Sequence, residues 1–257
     1  MGLEYEREAD ANEILDTGEN RAAALFAVPY YTYILLACMA AVFVGQYLTS
    51  SDPEFFLIDR VSAFNAGFDK QGFLSGEYWR IFTGTLIHSG ALHFGMNAYA
   101  LYSFGRLVEL LSNRAHLAIL FVVSALGGDV LSLIFNPDVT SVGASGGIVG
   151  FLSYLAVYAF KRRQFISREF RKSLLVNIGF ILVFGLVLFN VVDNYGHLGG
   201  LLAGAIYGLI QIPRDEYTDP RVVNGVTRLL GVAAILLYVA TAILTILILQ
   251  QAPRIHA

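Results

Sequence analysis

Two short motifs carry residue types able to do acyl-transfer chemistry. Gly143-Ala144-Ser145-Gly146 sets a serine hydroxyl in a turn of small residues. His197-Leu198-Gly199-Gly200 sets an imidazole near the start of an apolar stretch. A neutral serine becomes a nucleophile only when a base within hydrogen-bond reach removes its proton. An ionisable side chain inside a hydrophobic segment is costly to desolvate, so it marks a functional-site candidate. Together the motifs suggest a serine hydrolase whose site lies within a membrane. The competing reading of Ser145 is a helix-interface hydroxyl bonded to its own backbone.

Such a site needs membrane helices to carry it, and the composition supplies them. Hydrophobic residues make up 56% of the 257 positions and charged residues 14%, against about a quarter charged in a soluble domain. This argues for an all-α polytopic membrane protein. Seven segments are apolar and long enough to span a bilayer: 29–49, 90–111, 115–135, 144–160, 173–190, 195–212 and 228–250. The single cysteine, Cys38, lies in the first of them, which excludes an intrachain disulfide. Residues 1–20 hold seven acidic residues against Arg7 alone, so the start reads as an acidic tail over 1–28 rather than a basic leader.

Charge sorts the connections. Lys161, Arg162, Arg163, Arg168, Arg171 and Lys172 crowd the link between the fourth and fifth segments. With Arg7, Arg21, Arg106, Arg114, Arg214, Arg221 and Arg228 they put 13 of the 17 basic residues on one face. By the positive-inside rule that face is cytoplasmic, with the N-terminus inside and the C-terminus outside. Segments two, four and six then descend from the outer face. His93, Asn97, Ser145 and His197 fall near their starts, at one depth. Gly196, Gly200, Gly204 and Gly208 recur along the sixth segment, and Gly143, Gly146, Gly147 and Gly150 along the fourth. Small residues at this spacing let helix backbones approach closely, which would bring Ser145 within reach of His197.

Five motifs in order resemble bacterial-type rhomboid intramembrane serine proteases, over roughly residues 30–212. They are Trp79-Arg80, His93-x-x-x-Asn97, Gly105-Arg106-x-x-Glu109, Gly143-Ala144-Ser145-Gly146 and Asp193-Asn194-x-Gly196-His197-Leu198-Gly199-Gly200. The resemblance implies a six-helix catalytic core over 29–212 with an outer loop at 50–88, and a linker and seventh helix over 213–257. It implies Ser145 as nucleophile and His197 as general base. It adds His93 and Asn97 to the Ser145 N–H as an oxyanion hole. It further implies transmembrane protein substrates cut near the outer face of a bacterial inner membrane, with access between segments two and five. The alternative is a catalytically inactive relative that binds membrane clients.

No cofactor or nucleic-acid partner is expected, and the oligomeric state is not readable. A metal pair at His93 and Asn97 is the rival reading, but asparagine is a poor zinc ligand and no His-Glu-x-x-His motif accompanies it. Trp79 and Arg80 belong to an aromatic-rich outer loop, where Arg80 is expected to hold loop backbone. His88 is expected to support the same loop, whereas His116 and His256 carry no functional expectation. Val149 stands where rhomboids often place an aromatic packed on the histidine. Asp129, an acid inside the third segment, is expected to serve structure or hydration, the alternative being to tune water entry or interact with the dyad. Asp193, one turn before His197, is expected to hydrate the loop end, the alternative being to orient His197.

Overall fold

The computed structural model describes residues 28–50, 60–188, 192–215 and 217–251. Most of the expected acidic tail, and His256, lie outside them. The described helices in chain order are α1 (Tyr30–Thr49), α2 (Arg60–Ala66), α3 (Lys70–Leu74), α4 (Arg80–Thr83) and α5 (Ala91–Leu111). There follow α6 (Arg114–Phe135), α7 (Ser145–Lys161), α8 (Arg168–Val187), α9 (Asn194–Gln211) and α10 (Gly225–Gln251). Among the described residues, extended pairing is confined to one isolated bridge, Phe68 with Ser141.

The seven long helices, α1 and α5 to α10, fall on the seven apolar segments. Four of them, α1, α6, α8 and α10, have the length and composition to cross a membrane. The chain is a polytopic helical membrane protein. Helix α7 is apolar but spans only 17 residues, and α5 is interrupted by His93, Asn97, Arg106 and Glu109. Helix α8 begins at Arg168, ahead of the expected 173, because Ser167 caps it by accepting from Phe170 N at 3.1 Å. A hydropathy reading cannot see a first turn written in Arg168, Glu169, Arg171 and Lys172.

Close backbone contact sets the centre of the bundle. Helix α9 lies between α6 and α7. A Cβ added at Gly200 would stand 2.1 Å from Gly146 O, and one at Gly204 would stand 2.2 Å from Gly150 O. On the other side a Cβ at Gly199 would stand 2.2 Å from Gly127 O. The α9 glycines therefore make two seams, toward α7 and toward α6, where the sequence suggests one. Gly196 belongs to the α6 seam: its carbonyl lies 2.6 Å from where a Gly128 Cβ would stand. Gly143 precedes α7 and is a turn residue, with φ +112, rather than part of the helix-packing stripe. Val149 is buried against α9, its Cγ2 3.0 Å from a Gly200 Cβ position.

Polar groups hold the periphery. The Glu109 carboxylate of α5 accepts from Thr32 N at 2.8 Å and Tyr31 N at 3.2 Å, satisfying free N–H groups at the start of α1. Gly105 lets Thr32 approach, 3.0 Å from a Cβ position there. At the end of the bundle remote from Ser145, His116 Nδ1 meets Tyr207 Oη at 2.7 Å and its Nε2 meets Gln211 Nε2 at 3.1 Å. Lys161 Nζ donates to Leu209 O and to Ile212 O at 2.7 Å. His116, for which the sequence offers no part, joins α6 to α9. Helix α10 packs along α1 and α6 and touches α2 and α4 in the segment between α1 and α5.

In that segment Arg80 Nη1 donates to Phe64 O and Gly67 O, both at 3.0 Å, and its Nε pairs with Glu77. Gln46 of α1 brackets His88, donating to His88 O and accepting from His88 N at 3.0 Å each. Burial, reinforced by nearby His93, pushes the His88 imidazole down to about 3.

Two predictions follow from this packing. Gly200→Ala drives a methyl into a backbone carbonyl and should lower stability by about 1–3 kcal/mol. Gly179→Ala on α8, where a Cβ meets nothing within 4 Å, should leave the thermal midpoint in detergent unchanged or raise it. Equal effects at both positions would contradict the seam. His88 is held neutral in the folded state, so its contribution is present above its ordinary value of about 6.5 and is lost as pH falls toward about 3. The thermal midpoint of His88→Phe should therefore fall less than that of the wild type on acidification across this window.

Candidate active site

The start of α7 is built by a glycine turn. Gly143 adopts a positive φ that a side chain would strain, and its N–H donates to Gly84 O at 2.9 Å. Ala144 is fully buried, and its carbonyl accepts the first helical bond, from Ile148 N at 3.1 Å. The N–H groups of Ser145, Gly146 and Gly147 lie in the first turn, ahead of the helical ladder. Ser145 thus presents its hydroxyl and its N–H at a helix N-terminus, a place that favours negative charge.

His93 and Asn97 come to this turn from α5. A Cβ at Gly143 would lie 2.8 Å from His93 Nε2 and 3.4 Å from Asn97 Nδ2, so only a glycine leaves room for both side chains. The opposite nitrogen of the His93 ring, Nδ1, meets Ser89 Oγ at 3.1 Å and accepts from Ser89 N at 3.5 Å. An accepting Nδ1 leaves the proton on Nε2, directed toward Gly143. Asn97 Nδ2 is buried without a partner. An orphaned buried donor costs about 1–3 kcal/mol, which an acceptor arriving at the site would recover.

His197 stands on the first turn of α9, its own N–H bonded to Asp193 O at 3.0 Å. Its Nδ1 is buried without a partner. Ser145 and His197 line one cavity of about 30 Å³, together with Asp129, Asp193, Ser141 and Thr85. The Asp129 Oδ2 is also closed off without a partner. A space of this size holds a water or two, given polar lining groups. The structure brings together four of the residues singled out in sequence, with His93 and Asn97 on one side of the Gly143 turn and His197 on another. Trp79 and Arg80 stand apart in the segment between α1 and α5, beside Glu77 and Asp69.

Other neighbours of the site carry no signal in the sequence. Lys70, fully buried at the start of α3, donates to Ser141 Oγ and Val139 O. Burial pushes its ammonium below the ordinary range, while the Asp193, Asp129 and Asp69 carboxylates pull it back up. Its partner Ser141 lies 71 residues away, a distance that no local spacing rule spans. Among the described residues no group of three or more His, Cys, Asp or Glu side chains could hold a metal ion.

Comparison with known proteins places the chain. A family profile described as Rhomboid domain matches residues 75–214. Rhomboid protease GluP of Bacillus subtilis is 30% identical over 202 residues, which cover 77% of this chain and 39% of GluP. RHOMBOID-like protein 1 of Arabidopsis thaliana is 31% identical over 143 residues, covering 55% of this chain and 36% of that protein. Inactive rhomboid protein 1 of Bos taurus is 28% identical over 139 residues, covering 53% and 16%. The chain spans well under half the length of each of these three relatives. The matched span runs from the segment before α4 through α9 and includes Ser145, His197, His93 and Asn97, and the chain belongs to the rhomboid family.

Proposed function

We propose that the chain is an intramembrane serine endopeptidase that cuts transmembrane proteins near the outer membrane face with a Ser145–His197 dyad. The observation that carries this reading is the shared cavity of Ser145 and His197, with the unpaired Asn97 Nδ2 beside the Gly143 turn. In the reaction, the lone pair of the His197 nitrogen facing Ser145 takes the hydroxyl proton as Oγ attacks the scissile carbonyl carbon. The carbonyl π electrons move to oxygen. The resulting oxyanion receives hydrogen bonds from Ser145 N–H, Asn97 Nδ2 and His93 Nε2. Collapse expels the amine, which takes the proton from His197 and leaves an acyl-serine. Water from the polar cavity attacks the acyl carbon as His197 takes its proton, and cleavage of the bond to Ser145 Oγ releases the acid as that oxygen recovers the proton from His197.

Substrate chemistry follows from the lipid setting. A helical peptide hides its carbonyls in its own ladder, so the scissile segment must unwind first. Helix α8 buries only Leu174 and Gly185 among its described residues, the loosest attachment among the spans on this side. That supports lateral access between α5 and α8. The basic link between α7 and α8 supports a cytoplasmic N-terminus, with the site near the outer face of a bacterial cell membrane. One relative is named inactive, and a client-binding role is the alternative. The presence of both Ser145 and His197 favours cleavage.

Two experiments test the reading. With a reporter transmembrane substrate in detergent, Ser145→Ala and His197→Ala should each abolish cleavage while leaving expression and thermal midpoint unchanged, and EDTA should leave the wild-type rate unaltered. Substantial cleavage by either variant would remove the dyad. His93→Ala and Asn97→Ala should slow kcat by about 10- to 1,000-fold, since each deletes one of several donors. Wild-type kcat in both would assign these side chains to packing alone.

A further inference from the structure

Asp193 does more than an N-cap requires. Its Oδ1 accepts from Gly196 N at 2.9 Å and starts α9, a task that serine or asparagine performs as well. Its Oδ2 accepts from Ser132 Oγ of α6 at 2.5 Å and also from Ser141 Oγ. Ser141 is four residues before Ser145, and its hydroxyl also receives the buried Lys70 ammonium. The Ser141 backbone is pinned to the segment between α1 and α5 by Phe68 N to Ser141 O at 2.9 Å and Ser141 N to Phe68 O at 3.1 Å.

We propose that the Asp193 carboxylate, acting through Ser141 and Lys70, is a positioning residue that fixes the nucleophile segment against the helix turn carrying His197. This rests on the hydrolase reading above. Two kinds of contact join α9 to the Ser145 segment. One is the row of tight backbone contacts with α7 that begins at Gly200–Gly146, a turn deeper than His197, and continues at Gly204–Gly150. The second is the Asp193–Ser141 bond, on the far side of His197 from that row. Two attachments bracketing the imidazole fix its distance from Ser145. Across the Ser141 hydroxyl the Asp193 carboxylate also offsets part of the charge of the buried Lys70 ammonium.

Steady-state cleavage of a reporter transmembrane substrate separates positioning from mere structure. Ser141→Ala removes the link and leaves the α9 cap and the Ser132 bond in place. It should lower kcat by about 10- to 100-fold, the scale expected of a displacement near 1 Å, with KM within about twofold. Asp193→Asn keeps a cap acceptor but loses the charge, and should show the same split. Ser141→Thr keeps the hydroxyl and should recover kcat to within about threefold of wild type. Wild-type kcat in Ser141→Ala would overturn the proposal, as would a kcat loss that tracks the folded fraction and that threonine does not recover. A wild-type protein unable to cleave would instead overturn the hydrolase reading and this inference with it.

Discussion

The site depends on a backbone contact. In lipid, helices gain nothing by hiding apolar side chains from one another, so close association comes from packing and hydrogen bonds. Here α9 lies against α6 through Gly199 and Gly127, and against α7 through Gly200 and Gly146. Gly146 adjoins Ser145, and Gly200 lies one turn beyond His197. The contact that holds the bundle together therefore also sets the spacing of the two side chains, with no room for a methyl group at either seam.

Many buried polar side chains find partners: Gln46 with Ser62 and His88, Glu109 with the start of α1, Tyr154 with Ser112 and Gln211. Seven buried side-chain atoms among the described residues have none: Asn97 Nδ2, Asp129 Oδ2 and His197 Nδ1 lie at or beside the Ser145 cavity, and the other four are His88 Nε2, Ser124 Oγ, Arg162 Nε and Tyr238 Oη. A fold that satisfies Glu109 so fully but leaves Asn97 unpaired has kept a donor for something that arrives. Val149 fits the same picture. A residue larger than valine at the Gly200 seam would compete for space with the backbone contact.

Much of this was legible in the sequence, because helix period and small-residue spacing are local properties. The seven long helices, the turn at Gly143 and the contact between Gly200 and α7 all follow from residues a few positions apart. The family resemblance added roles for His93 and Asn97 that spacing alone left open between donors and ligands. What could not be read was set by contacts across long stretches of chain. Lys70 and Ser141 meet across 71 residues, and Ser132 and Asp193 across 61. The second glycine seam was hidden because Gly127 and Gly128 lie in a segment whose hydropathy alone explains it. The start of α8 was hidden for the opposite reason: its first turn is charged, and only the Ser167 cap marks it.

The central claim is that Ser145 and His197 stand close enough to share a proton in the folded membrane protein. A mechanism-based chloroisocoumarin tests this directly, because the acyl-serine it forms unmasks an electrophile that alkylates a neighbouring imidazole. After reaction in native membranes, peptide mass mapping should find one adduct bridging the peptides that contain Ser145 and His197, and none in Ser145→Ala. An adduct on another serine, or an unmodified protein whose cleavage activity survives the inhibitor, would contradict the account.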